Sequence, residues 1–353
     1  MARTALKPDL RNAPDPSVDW PRVVYLVSLS RALDKMEETR LVPEKKVLYQ
    51  FSARGHDMGQ ILLGCRLDDP ADATCGYYRS RPMLLSLGVD VADALGSAMG
   101  RAGGYSDGRD IGVVFNYPNP NGASALPMCG GVGAQYTPTA GWAQAIEYHR
   151  TVLKDPAYDK AIAVVLGGDG SVASNGFWAA LTVATTQMLP MLFYIEDNGF
   201  GISVSSKLQT PGGNIAANLR SFSGLTIFEG DGTDPAEASE LTARAVSLVR
   251  DRRIPVLLRL TVPRLSGHSG QDTQAYKSPE IVALERARDP LGKLHRYLVP
   301  GVFAESEWAR LAEQARSDVE VAVEKALARP LPDAQQVSRY VFTEIGSDGK
   351  PEI

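Results

Sequence analysis

The 353-residue sequence predicts an α/β fold, a mostly parallel sheet flanked by helices and followed by a helical C-terminal extension. Three observations carry this. From Ala140 onward helical and strand patterns alternate: AGWAQAIEYHRTVL, AIAVVLGG, NGFWAALTVATTQ, PMLFYIED, LTIFEG, PAEASELTARAVSLVRD and PVLLRLTV. The strand segments are apolar runs without polar alternation, the pattern of parallel strands covered on both faces. With 44% hydrophobic and 22% charged residues, the chain can bury an ordinary core and is neither disordered nor collagen-like.

Residues 1–20 read as a flexible N-terminal tail, or an arm that docks on a partner subunit. They contain three prolines and three basic residues but no apolar core of a secretion signal. Leu26, Leu29, Leu33 and Met36 recur at helical spacing and predict a helix to about Leu41. A second helical stretch spans Met83 to Met99. Residues 100–133 are dense in Gly, Pro and Asn and read as one long loop, which in a compact domain is usually functional. Helical patterns return at 290–298 and 305–328. The division expected is one α/β domain over 21–300, a helical extension over 301–329 and a C-terminal tail over 330–353.

Composition also removes classes of function. Lys plus Arg total 37 against 41 Asp plus Glu, a net charge of -4, so no global basic excess draws the chain to nucleic acid or an anionic membrane. The longest apolar stretches, such as Met188 to Ile195, fall far short of the roughly 20 residues of a membrane span. Cys65, Cys75 and Cys129 form no CxxC pair, against a disulfide framework or structural zinc. A reducing compartment is expected, cytoplasmic in the bacterial manner rather than the mitochondrial matrix.

The chemistry gathers at two strand ends. The run AIAVVLGG places Gly168, Asp169 and Gly170 at its carboxyl end, and PMLFYIED places Asp197, Asn198 and Gly199 at the next. Ligands of open parallel sheets sit outside these ends. About thirty residues of crossover can return the second end beside the first, letting Asp169 and Asn198 converge. A carboxylate and an amide oxygen are hard ligands that leave other octahedral positions of Mg²⁺ free. The glycines admit an anion close to the backbone, and the helix opening near Ser171 to Asn175 turns its positive end the same way. This describes a metal and diphosphate site. Two ordinary strand-to-helix turns would also use Gly, Asp and Asn.

The residues also resemble a family. GDG, followed after about thirty residues by an Asn-bearing strand end, is similar to the thiamine diphosphate fingerprint. FYIEDNGFGISVSS resembles the α subunit of the 2-oxo acid dehydrogenases, and YYRSR at Tyr78 and Arg79, GGVGAQ at 130–135 and RLSGHSGQD at 264–272 match it in order. The resemblance covers about residues 31–298. It implies the three-layer thiamine diphosphate-binding fold and oxidative decarboxylation of pyruvate or a branched-chain 2-oxo acid. It further implies Mg²⁺ on Asp169, Asn198 and the backbone carbonyl of Phe200, within a cofactor turn made by Gly168, Asp169, Gly170 and Ser171. By the same resemblance Tyr78 and Arg79 hold the diphosphate, Gly130 and Val132 meet the aminopyrimidine, and Arg264 supports the phosphate end. His268 then faces the thiazolium carbon as the catalytic histidine.

The partners implied are a β subunit or β half supplying a glutamate to the aminopyrimidine, in an α₂β₂-type assembly, and a lipoyl-bearing acyltransferase that takes the acyl group. Whether the β half is a separate chain stays open. An acetoin-cleaving dehydrogenase α subunit would look much the same, and a non-catalytic Mg-diphosphate-binding subunit is disfavoured by Arg79 and His268. A generic Rossmann binder lacks its GxGxxG.

The sequence departs from the family at Ser266, where a second histidine often stands, and at Ser174 and Asn175, where Glu or Gln and then Gly are usual. Asp197 replaces an Asn and is given no ligand role. Ser269 alone is no sign of phosphorylation control. His149 and His295 fall at helical positions that suit packing or solvation, while His56 either reaches the mouth of the site or caps the helix after it.

Overall fold

The central sheet takes its shape from six short apolar segments that a computed structural model aligns in one direction. It describes residues 13–109, 114–339, 345, 346 and 350; residues 1–12 of the expected tail and 340–344, 347–349 and 351–353 of the C-terminal one lie outside the described residues. The strands are β1 (Ala73–Cys75), β2 (Ser124–Ala125), β3 (Ala163–Gly168), β4 (Met191–Asp197), β7 (Thr226–Asp231) and β8 (Val256–Thr261), with β5 (Phe200–Gly201) and β6 (Val204–Ser205) forming a small separate hairpin. The sheet is parallel throughout, in the order β2-β1-β3-β4-β8-β7. β8 therefore slots between β4 and β7. That position explains their burial: β8 is largely covered, whereas every residue of the edge strand β7 is half-buried.

Side chains of a strand alternate between its two faces, and here each face has its own core. Val164, Leu166, Leu192, Tyr194, Leu258 and Leu260 pack with α1 (Trp20–Met36), α2 (Asp57–Gly64), α3 (Arg81–Leu87), α4 (Val91–Ala98), α8 (Pro235–Arg252) and α11 (Glu305–Ala328). Ala163, Val165, Met191, Phe193, Ile195 and Leu257 pack with α5 (Tyr136–Tyr148), α6 (Asn175–Gln187) and α7 (Ile215–Asn218). The result is the three-layer α/β arrangement expected. Each fully covered Val, Leu or Ile contributes about 2 kcal/mol of transfer free energy. Helices α9 (Pro279–Ala287) and α10 (Pro290–Leu298) lead to α11, whose Leu311, Ala315, Val319 and Val323 join the same core as α1. The long terminal helix is thus packed on the main body.

Several local readings change. Trp20, at the end of the expected tail, opens α1 and is 3% exposed. The single helix expected over 83–99 is two helices. α3 stops at Gly88, whose φ of 101° favours glycine, and α4 restarts where the Asp90 side chain accepts from Asp93 N–H. The long loop contains β2, and Pro330 and Gln336 of the expected C-terminal tail meet it: Ala102 N–H donates to the Pro330 carbonyl and Arg109 to that of Gln336. β1, with three residues, is too short to show a period in sequence.

Candidate active site

The register of β3 on β4 pairs Gly168 with Glu196, so the next residues, Asp169 and Asp197, leave the sheet side by side. The Asn198 N–H donates to Asp169 Oδ1 at 3.4 Å, which joins the two strand ends. Asp169 is 4% exposed, and its Oδ2 has no hydrogen-bond partner. Burial, and then the neighbouring charge of Asp197, push its pKa up to about 7. Asp197 is held differently. Its Oδ2 accepts from Arg259 Nε at 2.7 Å and its Oδ1 from Gly199 N–H at 2.9 Å. It fixes the loop and is neutralised.

Asn198 is oriented from both ends. Its Oδ1 accepts from Phe200 N–H at 3.2 Å, and its Nδ2 lies 3.5 Å from His56 Nε2. His56 stands at the start of α2 but makes no capping bond; its ring is fully buried beneath the site. On its other side is Glu196, 1% exposed, which accepts from Gln60 Nε2 at 2.9 Å and from the Tyr77 hydroxyl at 2.9 Å. Sequence reading passed over Glu196, Gln60 and Tyr77. The available signal was the acid inside an otherwise apolar strand, PMLFYIED, a costly placement without partners.

The turn after β3 uses its own hydroxyl. Ser171 Oγ donates to the Gly168 carbonyl at 2.6 Å and so accepts from the Tyr136 hydroxyl at 2.7 Å, which commits it to holding the turn. A 3₁₀ turn over Ser171–Ala173 follows, and Ser174 caps α6 by accepting from Phe177 N–H at 3.3 Å. Next to Asn175, where the family usually has Gly, Gly176 comes close to the backbone: a Cβ there would lie 2.3 Å from the Gly133 carbonyl oxygen.

Facing these strand ends is a cleft of about 160 Å³. Gly168, Asp169, Gly170, Ser171, Asn198 and Phe200 line it together with Tyr78, Arg79, Gly130, Val132 and Arg264. Arg79 is buried and donates to the carbonyls of Ser52 and, at 3.0 Å, His268. Arg264 is buried too, donating to the Ile202 carbonyl at 2.8 Å and to the Tyr276 hydroxyl, while its Nε finds no partner. Val132 lies 60% exposed at the rim beside Cys129. The cleft also takes in Tyr77, Gln135, Ile202 and Gln209, none of which sequence reading singled out.

His268 does not line this cleft. It stands behind Tyr78, its ring edge-on to Tyr78 at 5.3 Å and to Phe51 at 5.4 Å. Asp272 ties its loop, accepting from His268 N–H at 2.6 Å, Gln274 N–H at 2.8 Å and the Tyr276 hydroxyl at 2.7 Å. Burial, then the charges of Arg79 and Arg264, hold the imidazole down to about 4, so it is neutral near pH 7. Its Nδ1 has no partner.

Two buried atoms of the cleft lack partners, and they are opposite in kind: the acceptor Asp169 Oδ2 and the donor Arg264 Nε. One calls for a cation and the other for an anion, the two halves of a metal diphosphate. Among the described residues no group of three His, Cys, Asp or Glu could hold a metal. A cation here would rest on one carboxylate with amide and carbonyl oxygens, a hard donor set suited to Mg²⁺.

Comparison with known proteins shows the family. The model of a family described as "Dehydrogenase E1 component" matches residues 27–335. The pyruvate dehydrogenase E1 component subunit alpha of Porphyra purpurea is 28% identical over 287 residues, spanning 79% of this chain and 80% of that protein. The chloroplastic subunit alpha-3 of Oryza sativa subsp. japonica is 29% identical over 295 residues, 81% and 68% of the two chains. The subunit alpha of Rickettsia typhi is 29% identical over 274 residues, 77% and 80%.

Proposed function

Because this chain belongs to the dehydrogenase E1 component family and is a thiamine diphosphate-dependent 2-oxo acid dehydrogenase subunit of the α type, we propose that its cleft holds the Mg²⁺ and diphosphate of that cofactor. The reaction proposed is oxidative decarboxylation of a 2-oxo acid, pyruvate or a branched-chain acid, in a reducing, cytoplasmic compartment. One observation carries this reading: the buried Asp169 carboxylate, with one oxygen free, beside Asn198 at the floor of the cleft.

Asp169, Asn198 and the Phe200 carbonyl would hold the cation. Arg79, a planar donor fork, and Tyr78 would hold the diphosphate with Arg264 behind them, against the glycine turn Gly168–Gly170 and its Ser171 brace. Gly130 and Val132 would meet the aminopyrimidine. When bound, thiamine diphosphate supplies the carbanion and electron sink for loss of CO₂. His268, neutral at working pH, would accept and return a proton during acyl transfer to a lipoyl group of an acyltransferase. The exposed Val132 rim supports a second subunit of β type, which would close the cleft and supply the glutamate against the aminopyrimidine in an α₂β₂ assembly.

The test is calorimetric titration of thiamine diphosphate, with and without Mg²⁺, on the chain copurified with its partner, followed by a 2-oxo acid panel with a dye acceptor. Mg²⁺-dependent binding and turnover of one acid are expected. Full turnover by the isolated chain, or binding indifferent to the cation, would contradict the assignment.

A further inference from the structure

Beneath the candidate metal site lies a buried polar column that no step above uses. Glu196 is anchored by Gln60 and the Tyr77 hydroxyl, and its Oε1 lies 3.2 Å from His56 Nδ1. That contact is close without being aligned as a hydrogen bond, since Nδ1 has no bonded partner. On the far side, His56 Nε2 is 3.5 Å from Asn198 Nδ2. The amide orientation is fixed independently, because Phe200 N–H already donates to Asn198 Oδ1. An amide nitrogen only donates, so Nε2 must accept. The ring proton then sits on Nδ1, on the side of the Glu196 charge, which favours that tautomer.

We propose that His56 is a positioning residue for Asn198: it takes the amide N–H at Nε2 and so keeps the amide oxygen turned away from the ring, free to serve the cation. The proposal rests on the reading of Asn198 as a metal ligand. Without His56 the amide keeps a single restraint, the Phe200 N–H, and can swing about that one bond, so its oxygen is held less firmly in place. Outer partners that orient a metal's ligands commonly change affinity by about 10- to 100-fold when removed.

The experiment is Mn²⁺ binding in the presence of thiamine diphosphate, followed by electron paramagnetic resonance on the full chain copurified with its partner. His56→Leu should weaken Mn²⁺ binding by about 10- to 100-fold, whereas His56→Gln, whose side-chain oxygen accepts the same N–H, should stay within about threefold of the parent. Thermal melting monitors folding, and if His56→Leu does not fold, His56→Asn, too short to reach Asn198, carries the test. Folded His56→Leu with unchanged Mn²⁺ affinity overturns the proposal, as does failure of His56→Gln to restore it. Asn198→Ala is the reference: if it leaves Mn²⁺ binding intact, the metal-ligand reading itself is wrong, and if it alone removes binding, only the role of His56 is lost.

Discussion

At the tips of β3 and β4 two aspartates stand side by side, and their surroundings treat them in opposite ways. Asp197 is gripped by Arg259 from β8 and by the Gly199 N–H, while Asp169, just as buried, keeps an oxygen with no partner. Burying a carboxylate without compensation is costly, so the neighbour left uncompensated, Asp169, is the one we propose meets an external cation. Residue type alone does not mark a ligand.

That contrast can be broken from either side. The largest effect is expected from Asp169→Asn, which keeps the shape and removes the charge. Cation-dependent thiamine diphosphate binding should fall by at least about 100-fold, while melting of the unliganded chain shows no loss of stability, because an unpaired buried charge has gone. A marked drop in melting temperature instead would mean that Asp169 holds the fold.

The converse change is Arg259→Met. It leaves Asp197 in place, 8% exposed and without its cation, and should destabilise the chain by about 3 kcal/mol in urea unfolding. Retained stability would show that Asp197 does not depend on Arg259, and the two strand tips would then be alike.

The smallest effect extends the comparison to a base. His268 sits near Arg79 and Arg264, and its folded-state pKa of about 4 lies below the ordinary 6.5. Below pH 6.5 the unfolded chain takes up the proton first, so the stability from neutral His268 is complete above that pH and is lost as pH falls toward 4. An NMR titration of the ring should have its midpoint near 4; a midpoint at 6.5 would mean that neither its burial nor the two arginines govern it.

Much of the site was legible because it is local. GGDG and EDNG each end an apolar run, and the side-chain period of the strands fixes where those ends point. The motif order added Tyr78, Arg79, Gly130, Val132 and Arg264, which do meet at one cleft. The loop sequence offers His268 for the chemistry, but its packing edge-on to Tyr78 and Phe51 is a matter of side-chain contacts that loop sequence does not encode. His56 was left between two readings, and its ring fulfils neither a cap nor an exposed mouth.

By itself the sequence determined the repeating strands and helices, the turns that end them and the hard oxygen donors at their tips, because periodicity and turn chemistry act over a few residues. Tertiary structure alone decided that β8 enters between β4 and β7, bringing Arg259 to Asp197 across 62 positions, and that His56 meets Asn198 across 142. Charge compensation and hydrogen bonding depend on distance in space, and a chain records only distance along itself.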